Sequence, residues 1–478
     1  MTSLEAAAEF RVVNPKASTS EQVASDAPQL RNISESLPDL LIYTSSVKSF
    51  EEVSPFYNAA VKQRPLAVIR PRTADEVAAV VREMRSEGIP FGIRSGGHDM
   101  VAAQAQGKDG VIVDLRGLDS VVIAEDQRSV RVGGGTPSIN LSKFLHTHRL
   151  LTPHGWCATV GITGWALGGG YGYLSAFYGL GVDQILGARV VLASGEVVDT
   201  DDHPDLLWAL RGAGNGNFGI VVELRLKLYP ETGFLGGLLG FSNSQAAEVL
   251  KNFLELEKDL PVNFSGEALQ TNIPGVGPLL AWLFVWTSDD DNLEDGWAFH
   301  QKLKALGTPL LDTVAEVDDY TFFNEFPRPA GNHLHPRLSI VESFTEELGK
   351  VMEDYPPPGP LSCTVIHSFH GRALQENPAA CYPLRNRHHI LNPVASLPDP
   401  SAYPADFEEC KQWADGLIGE VANRGLALPY GNRNLSPETD MNWVATYGEE
   451  TLARLKEIKN KFDPDNVYRT GYPRLGLV

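Results

Sequence analysis

Between Gly219 and Leu228 the side chains alternate in character. Ile220, Val222, Leu224, Leu226 and Leu228 fall on one face, and Val221, Glu223, Arg225 and Lys227 on the other. A period of two over that length predicts a half-buried strand. Near the C-terminus the period lengthens: Leu452, Leu455, Ile458 and Phe462 form one helical face over 449–462, stopped at Asp463-Pro464 because proline cannot continue a helix. A second helix is expected after Thr73-Ala-Asp-Glu76, a capping box, with Val77, Val80, Val81 and Met84 on one face and Gly88 closing it. Short strands are expected at 66–70, 89–93, 111–115 and 130–132, and a hairpin over 188–193 and 196–199 about Ser194-Gly195. Ser138 is expected to cap a short helix carrying Leu141, Phe144, Leu145 and His148, and 205–211 to form another ending at Gly212. Strand, helix, strand and then Arg94-Ser-Gly-Gly-His98 is an α/β pattern with a ligand loop at a strand end.

Two regions depart from this regularity. Residues 1–40 are polar and aperiodic, which predicts a loose N-terminal arm. Beyond Pro230, residues 235–425 carry longer helical patterns, proline-rich patches at 356–360 and 393–404, and most of the histidines; a second domain is expected there. At 478 residues the chain is too long for one ordinary core, and 43% hydrophobic content is ample for two. A formal charge of −20 argues against a nucleic-acid or anionic-membrane surface. Cysteines 157, 363, 381 and 410 have neither metal-site nor disulfide-scaffold spacing. The first residues lack a basic segment and an apolar core, so no secretory leader is expected and a cytoplasmic protein is; sequons at Asn32, Asn140, Asn263 and Asn434 keep secretion open. No apolar run reaches the roughly 18 residues that span a bilayer.

Residues 152–173 hold the densest chemistry. Six glycines follow Cys157 there, with no helix or strand period. Such density weakens regular structure, and implies that something lies against the backbone. Gly168-Gly-Gly-Tyr-Gly172 does not have the spacing of a nicotinamide dinucleotide fingerprint, and no phosphate-binding loop of the ATPase type exists. What remains is a set of glycine turns (94–98, 133–135, 168–172) whose N–H groups nest a pyrophosphate. His98 and Cys157 each adjoin such a turn, and imidazole and thiolate suit covalent attack on an electron-poor ring.

Arg94-Ser-Gly-Gly-His98, Gly155-Trp-Cys157-Ala-Thr-Val-Gly161, Gly164, Gly168-Gly-Gly-Tyr-Gly172, Trp208-Ala-Leu-Arg-Gly212 and Gly216-Asn-Phe-Gly-Ile-Val221 together resemble the berberine-bridge-enzyme-like branch of the vanillyl-alcohol oxidase type of FAD-linked oxidoreductases. The ending, Leu455 to Tyr468, is similar to that family's; across 235–425 the likeness is faint. The resemblance implies an α+β fold: a discontinuous, two-subdomain FAD-binding domain (40–232 and 426–478), preceded by an arm (1–39) and interrupted by a substrate domain (233–425) built as an antiparallel sheet covered by helices. It implies FAD held twice, His98 on the 8α-methyl carbon and Cys157 on C6. Arg94, Ser95, Gly96 and Gly97, with Gly161, Gly164, Gly168 and Gly169, would cradle the pyrophosphate, and Phe218, Gly219, Ile220 and Val221 would line the adenine end. The family associates a small residue at Val160 with oxygen access, which favours an oxidase. Its usual Tyr-x-Asn is matched by Tyr430-Gly-Asn432, making Tyr430 the expected base, with Asn432 beside the cofactor and Arg433 as a cation that could lower the phenol's pKa. Ala176 and Gln184 stand where Arg and Asn are common, a departure expected to alter loop packing.

The expected reaction is oxidation of a small secondary metabolite, with oxygen as acceptor and hydrogen peroxide as product, by a monomer or weak homo-oligomer. An oligosaccharide oxidase and a flavin-containing non-redox cyclase are the alternatives. His333, His335, His367, His370, His388 and His389 sit on Pro- and Gly-broken segments without ligand spacing. No metal is expected, while one or two of these histidines are expected to line the substrate pocket.

Overall fold

The computed structural model describes residues 4–5, 12–101, 103–324, 331–398, 404–432, 434–436 and 440–476. Arg433, the expected cation, lies outside them. Three main sheets carry the architecture. In the first, Ala67–Arg70, Val111–Asp114 and Phe91–Arg94 run parallel, with Leu41–Tyr43 antiparallel at one edge. Parallel pairing needs a crossover, supplied by the helix Ala74–Ser86, whose Val77, Val80, Val81 and Met84 are buried. Thr73 caps it through the Glu76 N–H at 3.1 Å, but the Glu76 carboxylate accepts from Arg72 rather than closing the box on Thr73.

The second sheet has six strands, all antiparallel, with Ile220–Lys227 central between Ser129–Gly133 and Ile185–Val191. The hairpin expected near Ser194-Gly195 is the pair Ile185–Val191 and Val197–Asp199. Two expectations change. Ser138 does not cap its helix: Pro137 holds the N-cap position, and Ser138 spends both its N–H and its hydroxyl on the Val160 carbonyl. The stretch 20–36 is no loose arm, since Ser20–Asp26 and Arg31–Ser36 are helical and bury Val23, Ala27, Leu30 and Ile33 against the crossover helix. Pro28 breaks the period there, so the apolar face is legible only once the two helices are in place.

The third sheet is antiparallel throughout and has ten strands, from Phe234 to Leu428. Helices Ala246–Glu257, Glu346–Asp354 and Pro404–Asn423 cover one face, packing Phe253, Leu348 and Leu417 onto Trp282, Ile366 and Leu391. Gly277–Thr287 is buried on both faces from Leu279 to Thr287, which erases the alternation by which a strand is recognised. The C-terminal helix Glu449–Phe462 returns to the second sheet's core through Leu455, Ile458 and Phe462. Buried Lys459 fastens it, donating to the carbonyls of Asn217 (2.8 Å) and Tyr468 (2.7 Å) and to Asp463 (2.6 Å). Among the described residues no helix is long and apolar enough to cross a membrane.

Candidate active site

A cavity of about 490 Å³ lies between the loops of the first two sheets and the uncovered face of the third. Arg94, Ser95, Gly96, Gly97, His98, Cys157, Val160, Gly161, Gly164, Gly219 and Val221 line it, so two glycine loops far apart in sequence meet on one wall. The opposite wall comes from alternate residues of neighbouring strands: Cys363, Val365 and His367 on one, Asn392, Val394 and Ser396 on the next, and Leu334 beyond. One of the histidines expected in the pocket, His367, is there.

Close approach of chain to chain explains most of the glycines. A Cβ on Gly96 would lie 2.1 Å from Gly161 N, and one on Gly161 would lie 2.3 Å from Gly96 N, so the two loops touch backbone to backbone. Gly161→Ala is therefore expected to destabilise the protein by roughly 1–3 kcal/mol, the usual effect of overpacking. A thermal melt unchanged against wild type would show that the loops can part without strain. Gly168 and Gly169 do not line the cavity; they admit the side chains of Asn434 and Tyr382. The 133–135 turn is likewise filled by protein, with carbonyls of Leu118, Val221 and Leu115 where a Cβ would go. Gly97 and Gly164 differ, since an added Cβ would find nothing nearer than 3.5 Å and 3.8 Å respectively.

His98 faces the cavity half-buried. Its Nε2 is 2.5 Å from Thr159 Oγ1, and Tyr57 stacks on the ring with centroids 3.8 Å apart. Protein packed around it makes charging the ring unfavourable and pushes its pKa down to about 4. The imidazole is accordingly neutral, as a nucleophile must be. Neither Thr159 nor Tyr57 carries a sequence signal for this role. Cys157, in no disulfide, stands half-buried on the facing loop.

Arg94 serves the loop more than the cavity. Its guanidinium donates to the carbonyls of Val53 and Ser54, lies 3.8 Å from Asp114, and has its charge 4.8 Å from the Phe56 ring centroid. Phe218 and Ile220 are fully buried in the core and off the cavity wall. Tyr430 also stands off that wall, packed with Leu180, Ile340 and Tyr382. Asn432 is buried in a tight turn, where its side chain accepts from the Asn434 N–H (3.0 Å) and its own N–H donates to Ser436 (2.9 Å). That turn delivers Asn434 and Leu435 to the wall. Gln184 knits its loop, donating to the carbonyls of Tyr178 and Leu180 and accepting from the Tyr229 hydroxyl.

The histidines of the third sheet do not converge. His335 meets Asp415, His367 meets Glu267, His370 the Phe264 carbonyl, His388 the Asn386 carbonyl and His389 Glu257. A flavin nucleotide suits the cavity on the structure's own terms. The wall is open at Gly97 and Gly164, and the hydroxyl of Thr163 beside them is buried with no hydrogen-bond partner among the described residues. A ligand rich in acceptors would satisfy it.

The chain matches a family described as FAD binding domain over residues 65–201 and one described as berberine and berberine like over residues 425–471. It is 33% identical over 486 residues to the FAD-linked oxidoreductase aurO of Gibberella zeae, an alignment covering 99% of this chain and 93% of that protein. Among solved structures, 6-hydroxy-D-nicotine oxidase from Arthrobacter nicotinovorans aligns with a TM-score of 0.80 at 24% identity, covering 91% of this chain and 98% of that one. Glucooligosaccharide oxidase from Acremonium strictum, with a 6-S-cysteinyl, 8α-N1-histidyl FAD, aligns at a TM-score of 0.76 and 21% identity over 91% of this chain and 97% of that one. At these identities the structural likeness is one of fold.

Proposed function

Because the chain belongs to the berberine bridge enzyme-like family of FAD-linked oxidoreductases, we propose that it is an oxidase of a compact, largely apolar alcohol or amine, with FAD attached through both His98 and Cys157. One observation carries this. Both nucleophiles face a single cavity, and Thr159 engages Nε2 of His98, so Nδ1 is the ring nitrogen left to bond a cofactor. In this proposal residues 40–232 and 426–478 hold FAD, and 233–425 hold the substrate. Gly97, Gly164 and Thr163 receive the phosphates, and Tyr57 keeps the His98 ring in place.

Bound FAD supplies a two-electron acceptor that dioxygen restores, releasing hydrogen peroxide. The chain's part is to orient, to exclude water and to move a proton. Val160 on the wall leaves room for oxygen. Leu334, Leu361, Val365 and Val394 give the substrate side an aliphatic surface, while Asn392 and Ser396 supply few polar contacts. Such a surface suits a small apolar molecule better than a sugar chain, which needs many hydrogen bonds and broad aromatic platforms.

Acid precipitation tests the attachment. The protein is expected to precipitate yellow, and Cys157→Ala to stay yellow through His98. The doubly substituted protein, His98→Ala with Cys157→Ala, should leave all flavin in the supernatant. A colourless wild-type pellet would exclude covalent attachment. Peroxide formation from benzylic alcohols and benzylic secondary amines, but not from cello- or chito-oligosaccharides, would support the substrate class; the reverse preference would overturn it.

A further inference from the structure

The strand Cys363–Phe369 turns residues 363, 365 and 367 toward the cavity, while Ile366 and Thr364 face the other way. Ala268 pairs with Ile366, so Glu267, immediately before that strand, comes opposite His367. One oxygen of Glu267 accepts from His367 Nδ1 at 2.6 Å and from Trp156 Nε1 at 3.0 Å. The carboxylate and the imidazole are 2% and 5% exposed, so little water competes for either bond. If the ring is neutral and its Nδ1 proton is committed to Glu267, the lone pair is on Nε2, the nitrogen that Glu267 does not engage. Trp156 adjoins Cys157, which ties the pair to the loop bearing the expected cofactor tether.

Among the described residues, Tyr171 has its ring centroid 4.2 Å from the His367 ring, and Tyr382 and Cys157 are the further titratable groups that act on Tyr171 beside Glu267. Burial pushes the Tyr171 phenol well above its ordinary value, and the charge of Glu267 adds to this, so Tyr171 stays protonated at neutral pH. On the other wall, His98 has its Nε2 engaged by Thr159.

We propose that His367 is the catalytic base, taking the proton from the substrate's O–H or N–H at Nε2, and that Glu267 is the positioning residue that fixes its tautomer. This rests on the oxidase reading above. The substrate's O–H or N–H proton would pass to His367, and bound FAD would supply the two-electron acceptor for the hydride of the adjacent carbon. The electron pair of the broken O–H or N–H bond becomes the second bond of the carbonyl or imine. Dioxygen later accepts the two electrons, and with the two protons leaves as hydrogen peroxide.

Two measurements test the assignment, one independent of turnover. In holoenzyme labelled with ring-¹⁵N histidine at pH 7.5, the resonances missing from His367→Gln are expected to report an Nδ1–H, Nε2-lone-pair ring. Glu267→Gln should shift that ring toward the other tautomer. An Nε2–H ring in the wild type would overturn the proposal. In anaerobic stopped-flow with benzylic alcohols and benzylic secondary amines, His367→Gln with its flavin retained should reduce flavin about 100-fold more slowly or worse. Glu267→Gln should lose roughly 10-fold and alter the pH profile. A rate within twofold of wild type in His367→Gln, or a large loss in Tyr430→Phe instead, would overturn it. A flavin-loaded wild type reduced by none of these probes would fail the oxidase reading and this proposal with it, a result distinct from a normal rate in the variant.

Discussion

Asp114→Ala is expected to destabilise the protein by roughly 3–5 kcal/mol, the range for breaking a buried ion pair by removing one partner. The carboxylate is fully buried at the end of Val111–Asp114 and is met by Arg116 at 2.7 Å, Arg70 at 3.0 Å and Arg94 at 3.8 Å. Burial alone would raise its pKa; the charge and hydrogen bonds of Arg116, with Arg94 and Arg70, hold it far below the carboxylate range instead. The guanidiniums of Arg70 and Arg94 are themselves 3% and 2% exposed, so removing the anion leaves two cations without compensation. Burial already pushes Arg94 down to about 10 even with Asp114 present. Since Arg94 also anchors the loop 94–98 through Val53 and Ser54, the variant should hold flavin poorly as well as unfold early. Urea unfolding at pH 7.5, paired with flavin content, checks both. Asp114→Asn keeps the shape and removes only the charge, so a loss below about 1 kcal/mol in that variant would show that the cluster is solvated and the argument wrong.

Acidification should be the second large effect, operating through His370 and His388. His370 donates from Nε2 to the Phe264 carbonyl at 2.7 Å, and His388 from Nδ1 to Asn386 at 2.7 Å. The remaining nitrogen of each ring is buried with no partner among the described residues. Protonation would therefore create a buried cation with an unsatisfied N–H. Burial pushes both rings from the ordinary 6.5 down to about 4. The sign follows from proton counting: between about 6.5 and 4 the unfolded chain binds protons that the folded chain refuses. Stability is thus fully present above about 6.5 and falls as the pH drops toward 4. At about 1.4 kcal/mol per tenfold difference in proton affinity, each ring contributes roughly 3 kcal/mol over the whole interval. Denaturant midpoints measured from pH 8 to pH 4 should fall steeply below 6.5. His388→Asn, whose amide can keep the bond to Asn386, should flatten that fall; an equally steep curve would assign the acid sensitivity to other groups.

The candidate site was legible wherever a short segment carries its own chemistry. His98 and Cys157 could be picked out because each stands beside glycines in a loop, and both do face the cavity. The reason for the glycines was less legible. Gly96 and Gly161 are required by each other, across 65 residues of chain, and Gly168 by Asn434 far downstream. Tyr430 was the expected base because Tyr430-Gly-Asn432 matches the family's Tyr-x-Asn, but it packs off the wall, which Asn434 and Leu435 reach instead. Glu267 gave no local signal, and His367 stood only among six histidines of which one or two were expected to line the pocket; their pairing spans 100 positions.

By itself, then, the sequence determined the half of the molecule built from local periods: the alternating strand at 220–227, the helices at 74–86 and 449–462, and the two glycine loops with their nucleophiles. Those features arise from side chains a few residues apart, and solvent sorts them into faces without reference to the rest of the chain. An antiparallel sheet over 233–425 was implied by the family resemblance, but tertiary structure alone decided its ten-strand order and the cavity wall it forms. Its central strands are buried on both faces and lose the alternation that would announce them. Their register, which sets Glu267 opposite His367 and turns Val365 and Val394 toward the cavity, comes from hydrogen-bond ladders between distant segments.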